Sequence, residues 1–168
     1  DINRAIASAG FKGFELQEKP GAKYVYQLVR NQNGKKVVVD KDLSEGERHF
    51  IAFLYFYHMV MGSQSDAGKV EDKIVVIDDP VSSMDSGSLF VVASLTREMI
   101  AVCYNNYAFH EEVVDDHIRQ FFCMTHNPYF FREISYNRLP DYECVSFFEI
   151  KKDTKNQTSI IECQDEDT

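Results

Sequence analysis

The chain is poor in cations, in long apolar runs and in paired cysteines, and each shortage argues against one class of protein or site. Its 168 residues carry 18 Lys and Arg against 27 Asp and Glu, a formal net charge of −9. This balance disfavours a basic groove that tracks phosphates, although another part of a larger protein could still bind nucleic acid. No uninterrupted apolar run approaches the roughly 18–20 residues of a membrane span, and the first residues do not have the pattern of a signal peptide. We therefore expect no membrane partner.

The cysteines and aromatics favour a reduced, packed interior. The four cysteines form no C-x-x-C pair, which argues against a structural zinc site, and three lie in apolar or aromatic runs. Buried, reduced thiols predict a cytoplasmic location. A length of 168 residues with 44% apolar content fits one domain over 1–168. The dense aromatics favour core packing over base stacking, with these expected in the core: Phe50, Phe53, Phe56, Phe121 and Phe122.

The N-terminal quarter changes from a helical to a strand pattern. Ile2, Ile6 and Ala9 have helical spacing, and Gly10 ends that short helix. Three strands are predicted next, over 14–19, 24–30 and 36–39. Asn33-Gly34 between the last two is a strong hairpin signal, so an N-terminal β-hairpin region is expected.

The rest of the chain alternates helices with strands. Ser44 and Glu47 form a capping box at the start of a helix whose run over 50–61 is apolar nearly all round. The β-branched run 73–77 predicts a strand covered on both faces. The remaining predicted elements are a helix over about 87–103, a strand over 119–125, a helix over 129–137, and strands over 143–151 and 158–163. This order predicts an α/β fold, a mixed sheet with flanking helices.

Acidic residues follow the first of the two central strands. Asp78 and Asp79 would lie at the carboxyl edge of the sheet, where open α/β folds bind ligands. One carboxylate there can hold Mg²⁺ and its neighbour can accept a proton from water. Alternatively, two such acids simply end a strand and cap the next helix. His126 ends the second strand and can share this edge, although a strand-end histidine can also be structural.

The start of the buried helix offers a second candidate site. Ser44 and the amides around Gly46 can bind phosphate through unsatisfied N–H donors and the helix dipole. The alternative is an ordinary helix cap.

Three segments carry these residues: the helix start at Ser44, the strand end at Asp78-Asp79 and the strand end at His126. In this order and spacing, they resemble the C-terminal lobe of an ABC-type ATPase head. The resemblance covers about residues 10–150 and is to the interrupted heads of the SMC, RecF and RecN kind. Leu43-Ser44-Glu45-Gly46-Glu47 is similar to the signature motif, residues 74–78 to the Walker B strand, and Ser82-Ser83-Met84-Asp85 to the D-loop. The sequence of residues 78–85, together with Thr125-His126-Asn127-Pro128, most resembles that of the bacterial group that includes the PrrC anticodon nuclease.

The resemblance implies a role for each segment in binding ATP and Mg²⁺. Asp78 would hold Mg²⁺, Asp79 would take the position of the catalytic glutamate, and His126 would be the switch histidine. The nucleotide-binding set would be Ser44, Glu45, Gly46, Glu47 and Asp85. The signature residues would act in trans on ATP held by a second head, so the expected partner is a second copy in an ATP-dependent homodimer. Two departures stand out: Asp79 is shorter than glutamate, and Glu45 replaces glycine.

The chain contains no G-x-x-x-x-G-K-[ST] loop. In interrupted heads that loop belongs to an N-terminal lobe, so we expect half of a P-loop NTPase head whose other half is the N-terminal lobe of the same protein. A degenerate ATPase without a P-loop is the alternative. The isolated chain would then be inactive as an enzyme, and a non-hydrolysing module that senses nucleotide is a further alternative. The acidic stretch 110–117 could form a nuclease or metal site, or a solvated loop.

Overall fold

The computed structural model describes residues 2–8, 15–22, 25–39, 43–61, 72–108, 118–135 and 145–163. The stretch 110–117 lies outside the described residues. The chain divides into two compact units, Asp1–Ile134 and Ser135–Thr168. The assignment of residues 1–168 to a single domain stays a prediction.

The first unit begins with a helix and an antiparallel sheet. The elements are α1 (Ile2–Ser8), β1 (Glu15–Glu18), β2 (Tyr26–Gln32) and β3 (Lys35–Val38), with β2 paired to both neighbours. Asn33 and Gly34 both have positive φ, 52° and 78°, as a two-residue hairpin turn of the primed kind requires. The side chain of Asn3 ties α1 to β1 through the backbone of Leu16. The predicted hairpin region is therefore confirmed.

The larger part of this unit consists of helices around two parallel strands. The elements are α2 (Glu45–Met61), β4 (Lys73–Asp78), α3 (Ser86–Ala108), β5 (Ile118–Met124) and α4 (Pro128–Ser135). β4 and β5 pair in parallel, and α3 lies on the connection between them. This strand–helix–strand unit confirms the predicted α/β class.

Apolar side chains from both helices and strands form the core of the first unit. Phe50 and Leu54 of α2 are fully buried, as are Val92 and Met99 of α3. In β4 the exposure alternates: Val75 and Ile77 are buried, whereas Ile74 and Val76 are more than half exposed. The strand predicted to be covered on both faces thus has one open face among the described residues. Of the five predicted core aromatics, Phe50 and Phe53 are buried, whereas Phe122 is half exposed.

One helix corrects the expectation that no segment is long and apolar enough to cross a membrane. Residues Ser86–Asn106 of α3 meet that test by length and composition, with a mean hydropathy of 1.3. The core helix of a globular domain passes the same test. In this chain α3 buries Val92, Ala93 and Thr96 completely.

The second unit is an antiparallel hairpin. β6 (Phe147–Lys152) and β7 (Thr158–Cys163) pair along their whole length. Asp153 closes the connection by accepting hydrogen bonds from the amides of Lys155 and Gln157, both at 2.8 Å. Phe148, Ile150 and Ile160 are each more than half exposed on it.

Candidate functional site

The parallel register of β4 and β5 brings the acidic segment after β4 and the histidine segment after β5 to the same edge of the sheet. Asp78 is opposite Met124 in the register, so Asp79 and Thr125 are the next residues beyond the two strand ends. The amide of Asp79 donates to the Met124 carbonyl at 2.8 Å, extending the ladder by one bond. The shared edge was predicted from sequence, and the structure confirms it.

Asp79 leaves the strand in a conformation that few non-glycine residues adopt. Its φ is +45°, in the left-handed region, which costs on the order of 1 kcal/mol or more for an ordinary side chain. The turn that follows contains a second such residue, Ser83, with φ +61°. Hydrogen bonds to neighbouring groups offset that cost and hold the turn against the strand ends.

Both carboxylate oxygens of Asp79 accept hydrogen bonds from side chains. Oδ2 accepts from Ser82 Oγ at 2.5 Å and pairs with His126 Nδ1 at 2.8 Å. Oδ1 accepts from Thr125 Oγ1 at 3.2 Å. The carboxylate is 21% exposed. The backbone amide of His126 also donates to this carboxylate, so most of its roughly four lone-pair positions are occupied by groups of the protein.

These contacts set the proton affinity of Asp79. Burial alone raises the pKa of Asp79, but the Ser82 hydrogen bond, the nearby His126 and the Thr125 hydrogen bond lower it by more. The net pKa lies below its ordinary value, so Asp79 is a carboxylate at neutral pH. The same charge acts on Cys123 of β5: burial and then Asp79 raise the pKa of that thiol to about 12.

His126 is held at one nitrogen and open at the other. Its Nδ1 pairs with Asp79, while 83% of its side chain is exposed. Nε2 is therefore the ring nitrogen available to a ligand. Donation from Nε2 while Nδ1 donates to Asp79 requires the imidazolium form.

Asp78 is exposed at the end of β4 and makes no hydrogen bond or ion pair with another described residue. No group of three or more His, Cys, Asp or Glu side chains that could hold a metal occurs among the described residues. Asp78 fits Mg²⁺ nonetheless, because Mg²⁺ in nucleotide sites takes one or two carboxylates and fills its other positions with water and phosphate oxygens.

The start of α2 is a complete capping box. The Ser44 amide donates to Glu47 at 2.7 Å and the Glu47 amide donates to Ser44 Oγ at 3.2 Å. Glu45 is exposed and forms no ion pair with Arg48 or any other described residue. The predicted cap is confirmed. Its use as a phosphate site stays a prediction.

The first turns of α2 contact the turn that follows Asp79. A Cβ on Gly46 would lie 2.5 Å from the Ser83 carbonyl oxygen, so only glycine fits at this position without movement. His49 Nδ1 lies 3.1 Å from the Ser82 carbonyl oxygen. A groove of about 400 Å³ lies alongside, between α2 and the end of β4, and Asp78, Asp79 and Ser82 are among its lining residues.

Asp85, the last residue of the predicted D-loop, caps α3. Its Oδ1 accepts from the Ser88 amide at 2.8 Å, and its carbonyl accepts from the Leu89 amide. The side-chain contacts at the edge therefore join His126 and Ser82 to Asp79, whereas the side chain of Asp85 bonds within its own helix.

The sequence placed Ser82 and Thr125 in motif-like segments but assigned no individual role to either, and it did not single out His49. Thr125 could have been found, since a parallel register that aligns the two strand ends also places Thr125 beside Asp79. Ser82 and His49 depend on how the turn folds back onto α2, and no local pattern marks that.

The α/β fold of this chain is similar to that of an SMC ATPase head, as the resemblance of the sequence implies. A solved structure from work on the structural biochemistry of ATP-driven dimerization and DNA stimulated activation of SMC ATPases matches 98% of this chain and 82% of its own length. The TM-score is 0.56 and the identity 11%, a likeness of fold. The family model AAA_13, an AAA domain, matches residues 1–168, and the chain belongs to that family. The narrower grouping with PrrC stays a prediction.

The chain is also similar to a protein of Staphylococcus aureus strain MRSA252. That relative is described as the uncharacterized chromosomal cassette SCCmec type IVc protein CR006, and the identity is 33% over 123 residues. A Staphylococcus aureus protein of the same description, without a named strain, is similar to the same degree. The match covers 73% of this chain and 15% of the relative, so the chain spans a small part of the length of its curated relatives.

Proposed function

We propose that the chain is the signature-bearing lobe of an ATP-binding and ATP-hydrolysing head. The observation that carries this proposal is the Asp79–His126 pair, 2.8 Å apart at the carboxyl edge of two parallel strands. An anchored carboxylate beside an exposed histidine suits phosphoryl transfer, which depends mainly on positioning and on neutralising charge. Membership of an AAA domain family and the SMC-type fold support the same assignment.

Each edge residue has a distinct part in this proposal. The anchored Asp79 carboxylate accepts a hydrogen bond from the attacking water and orients it. His126, held at Nδ1, donates from Nε2 to the terminal phosphate. Asp78 offers its unpaired carboxylate to Mg²⁺, which when bound neutralises phosphate charge. Asp79 has a lowered pKa, so it orients the water more effectively than it removes its proton.

A complete ATP site also needs a P-loop and a second head, and both come from outside this chain. The P-loop belongs to an N-terminal lobe of the same protein, which agrees with the small share of its relatives' length that the chain spans. The start of α2, with Ser44, Glu45, Gly46 and Glu47, acts in trans on ATP held by a second head. The SMC protein of similar fold is described by ATP-driven dimerization and DNA stimulated activation. By analogy we propose an ATP-dependent homodimer, in the cytoplasm, that gates a coupled activity: nucleic-acid repair, RNA cleavage or defence.

The test is Mg-ATP hydrolysis by the full-length protein that carries this chain, wild type beside Asp79→Asn. The variant keeps the shape of the side chain but weakens its acceptors, so we expect turnover to fall by about 10²-fold or more, with ATP binding retained. Ser94→Ala, on an exposed position of α3, is the control. Unchanged turnover in Asp79→Asn would refute the assigned role.

One observation favours a second function, a module that binds nucleotide without hydrolysing it. Three side chains already engage the Asp79 carboxylate, and its lowered pKa makes it a weak base. A head of this kind would dimerise on ATP and release it unchanged. Wild-type protein that binds ATP and dimerises without forming ADP would identify this alternative.

A further inference from the structure

We propose that Thr125 is a positioning residue: its hydroxyl joins the Asp79 carboxylate to the start of α4 and so fixes the segment that carries His126. The proposal rests on the function given above and names a further residue of the same site. The Thr125 hydroxyl makes two hydrogen bonds, one to Asp79 Oδ1 at 3.2 Å and one from the Asn127 amide at 3.0 Å. His126 lies in the chain between these two bonded positions.

The position requires a side chain that donates and accepts hydrogen bonds through one atom. A carboxylate can only accept and a backbone amide can only donate, so the Thr125 hydroxyl donates to Asp79 and accepts from Asn127. Serine has the same hydroxyl, whereas valine has nearly the same shape and can form neither bond. The side chain at position 125 therefore determines whether the carboxylate and the amide are joined.

The far end of this link is a helix that the rest of the first unit holds in place. Asn127 caps α4, since its Oδ1 accepts from the amides of Tyr129 and Phe130 at 3.0 and 3.1 Å. The Phe130 side chain is fully buried. Near the other end of α4, Arg97 of α3 donates to the Glu133 carbonyl at 2.5 Å. The start of α4 is thus a fixed point to which the strand-end carboxylate is tied.

His126 depends on this link because Asp79 is its one hydrogen-bonding partner in the part of the chain that the structure describes. Its ring is 83% exposed and pairs through Nδ1 with Asp79 Oδ2 at 2.8 Å. The backbone amide of His126 donates to the same carboxylate. The ring and the backbone of His126 therefore follow the orientation of Asp79, which Thr125 restrains from the β5 side. A carboxylate that turns takes the imidazole with it, and Nε2 then leaves the direction of the terminal phosphate.

Thr125 therefore acts on the reaction through His126 and does not itself touch ATP. Misplacing a reacting group by about 1 Å can lower a rate by about 10²-fold. Thr125→Val loses a hydrogen bond to a charged group, so we expect kcat to fall by roughly tenfold or more. The KM for ATP should change little, because the lost interaction orients groups for the transition state and the P-loop lobe supplies most of the ATP contacts.

The experiment measures kcat and KM for Mg-ATP with the full-length protein, wild type beside Thr125→Val and Thr125→Ser. Thr125→Ser keeps the hydroxyl and should restore kcat. Thr96→Val is the matched control: Thr96 is fully buried on α3, and its hydroxyl has no hydrogen-bond partner among the described residues. This control should keep the wild-type kcat. A wild-type kcat in Thr125→Val, or a kcat that Thr125→Ser does not restore, would overturn the role of Thr125.

A double variant tests whether Thr125 acts through His126. Thr125→Val should lower kcat much less in a His126→Ala background than in the wild type, because the side chain that Thr125 positions is absent there. A purely structural role would lower kcat by the same factor in both backgrounds, so equal factors would overturn the proposal.

The helix cap gives a second test that does not alter Thr125, and it decides the matter if Thr125→Val fails to fold. Asn127→Ala removes the cap of α4 and should lower kcat, whereas Asn127→Asp keeps a capping oxygen and should restore it. An unchanged kcat in Asn127→Ala would overturn the link to α4.

The outcomes separate this inference from the proposed function. If Asp79→Asn abolishes turnover but Thr125→Val turns over like the wild type, the positioning role is wrong and the ATPase assignment stands. If the wild type fails to hydrolyse ATP, or Asp79→Asn turns over normally, the ATPase assignment fails and the role of Thr125 fails with it.

Discussion

Replacing Gly46 with alanine tests the contact between α2 and the turn after Asp79. The new Cβ would lie 2.5 Å from the Ser83 carbonyl oxygen, where ordinary contact begins at 3.4 Å. One backbone must therefore move by roughly 1 Å, and overpacking of this kind costs about 1–3 kcal/mol. The higher helix propensity of alanine stabilises the helix by at most about 1 kcal/mol relative to glycine. We expect Gly46→Ala to lower the free energy of unfolding by about 1–2 kcal/mol.

The assay is denaturant unfolding of the full-length protein, followed by Mg-ATP turnover under native conditions. Gly34→Ala is the matched control: its Cβ meets nothing within 4 Å, but its φ of +78° makes alanine strained there by about 1 kcal/mol. The two variants should lose similar stability, while only Gly46→Ala loses turnover, because only it displaces Ser82 and Ser83. A Gly46→Ala protein more stable than wild type with normal turnover would refute the reasoning.

Three further predictions concern the strand-end site. Thr125→Val removes a hydroxyl that donates to Asp79 and should lower the unfolding free energy by about 1–2 kcal/mol, with Thr125→Ser near wild type, as measured by denaturant unfolding. Cys123, whose pKa is raised to about 12, should resist iodoacetamide at pH 8 until the protein unfolds; alkylation of the native protein at the rate of a free thiol would contradict its burial. Because the net pKa of Asp79 is lowered, its stabilising contribution is present above the ordinary value of 3.8 and is lost as pH falls below it. The melting temperature of Asp79→Asn should therefore fall less than that of the wild type between pH 5 and pH 3. Equal falls would contradict the lowered pKa of Asp79.

Features encoded by neighbouring residues were predictable from the sequence. The Asn33-Gly34 turn follows from the positive φ that only such residues adopt readily, and the structure has both residues there. Ser44 and Glu47 form their capping box within one turn of helix. The meeting of Asp79 with His126 required only that two parallel strands end at the same edge.

Features that depend on tertiary contacts were not predictable. The helix predicted to end near residue 103 continues to Ala108, because Asn106 is buried beside the backbone of Ile118 and no glycine or proline stops the chain earlier. The link from His49 to Ser82 spans 33 positions and depends on the turn after Asp79. Its residue types are common, so the sequence offers no signal for it.

The dependence of Mg-ATP turnover on protein concentration tests the central claim most directly. In this account, Asp79 and His126 act on ATP in a site that is completed by the start of α2 from a second head. Turnover per head should therefore rise with protein concentration and then level off as dimers form. Asp79→Asn should form the same ATP-dependent dimers with almost no turnover. Turnover per head that is constant with concentration, or that persists in Asp79→Asn, would contradict the account.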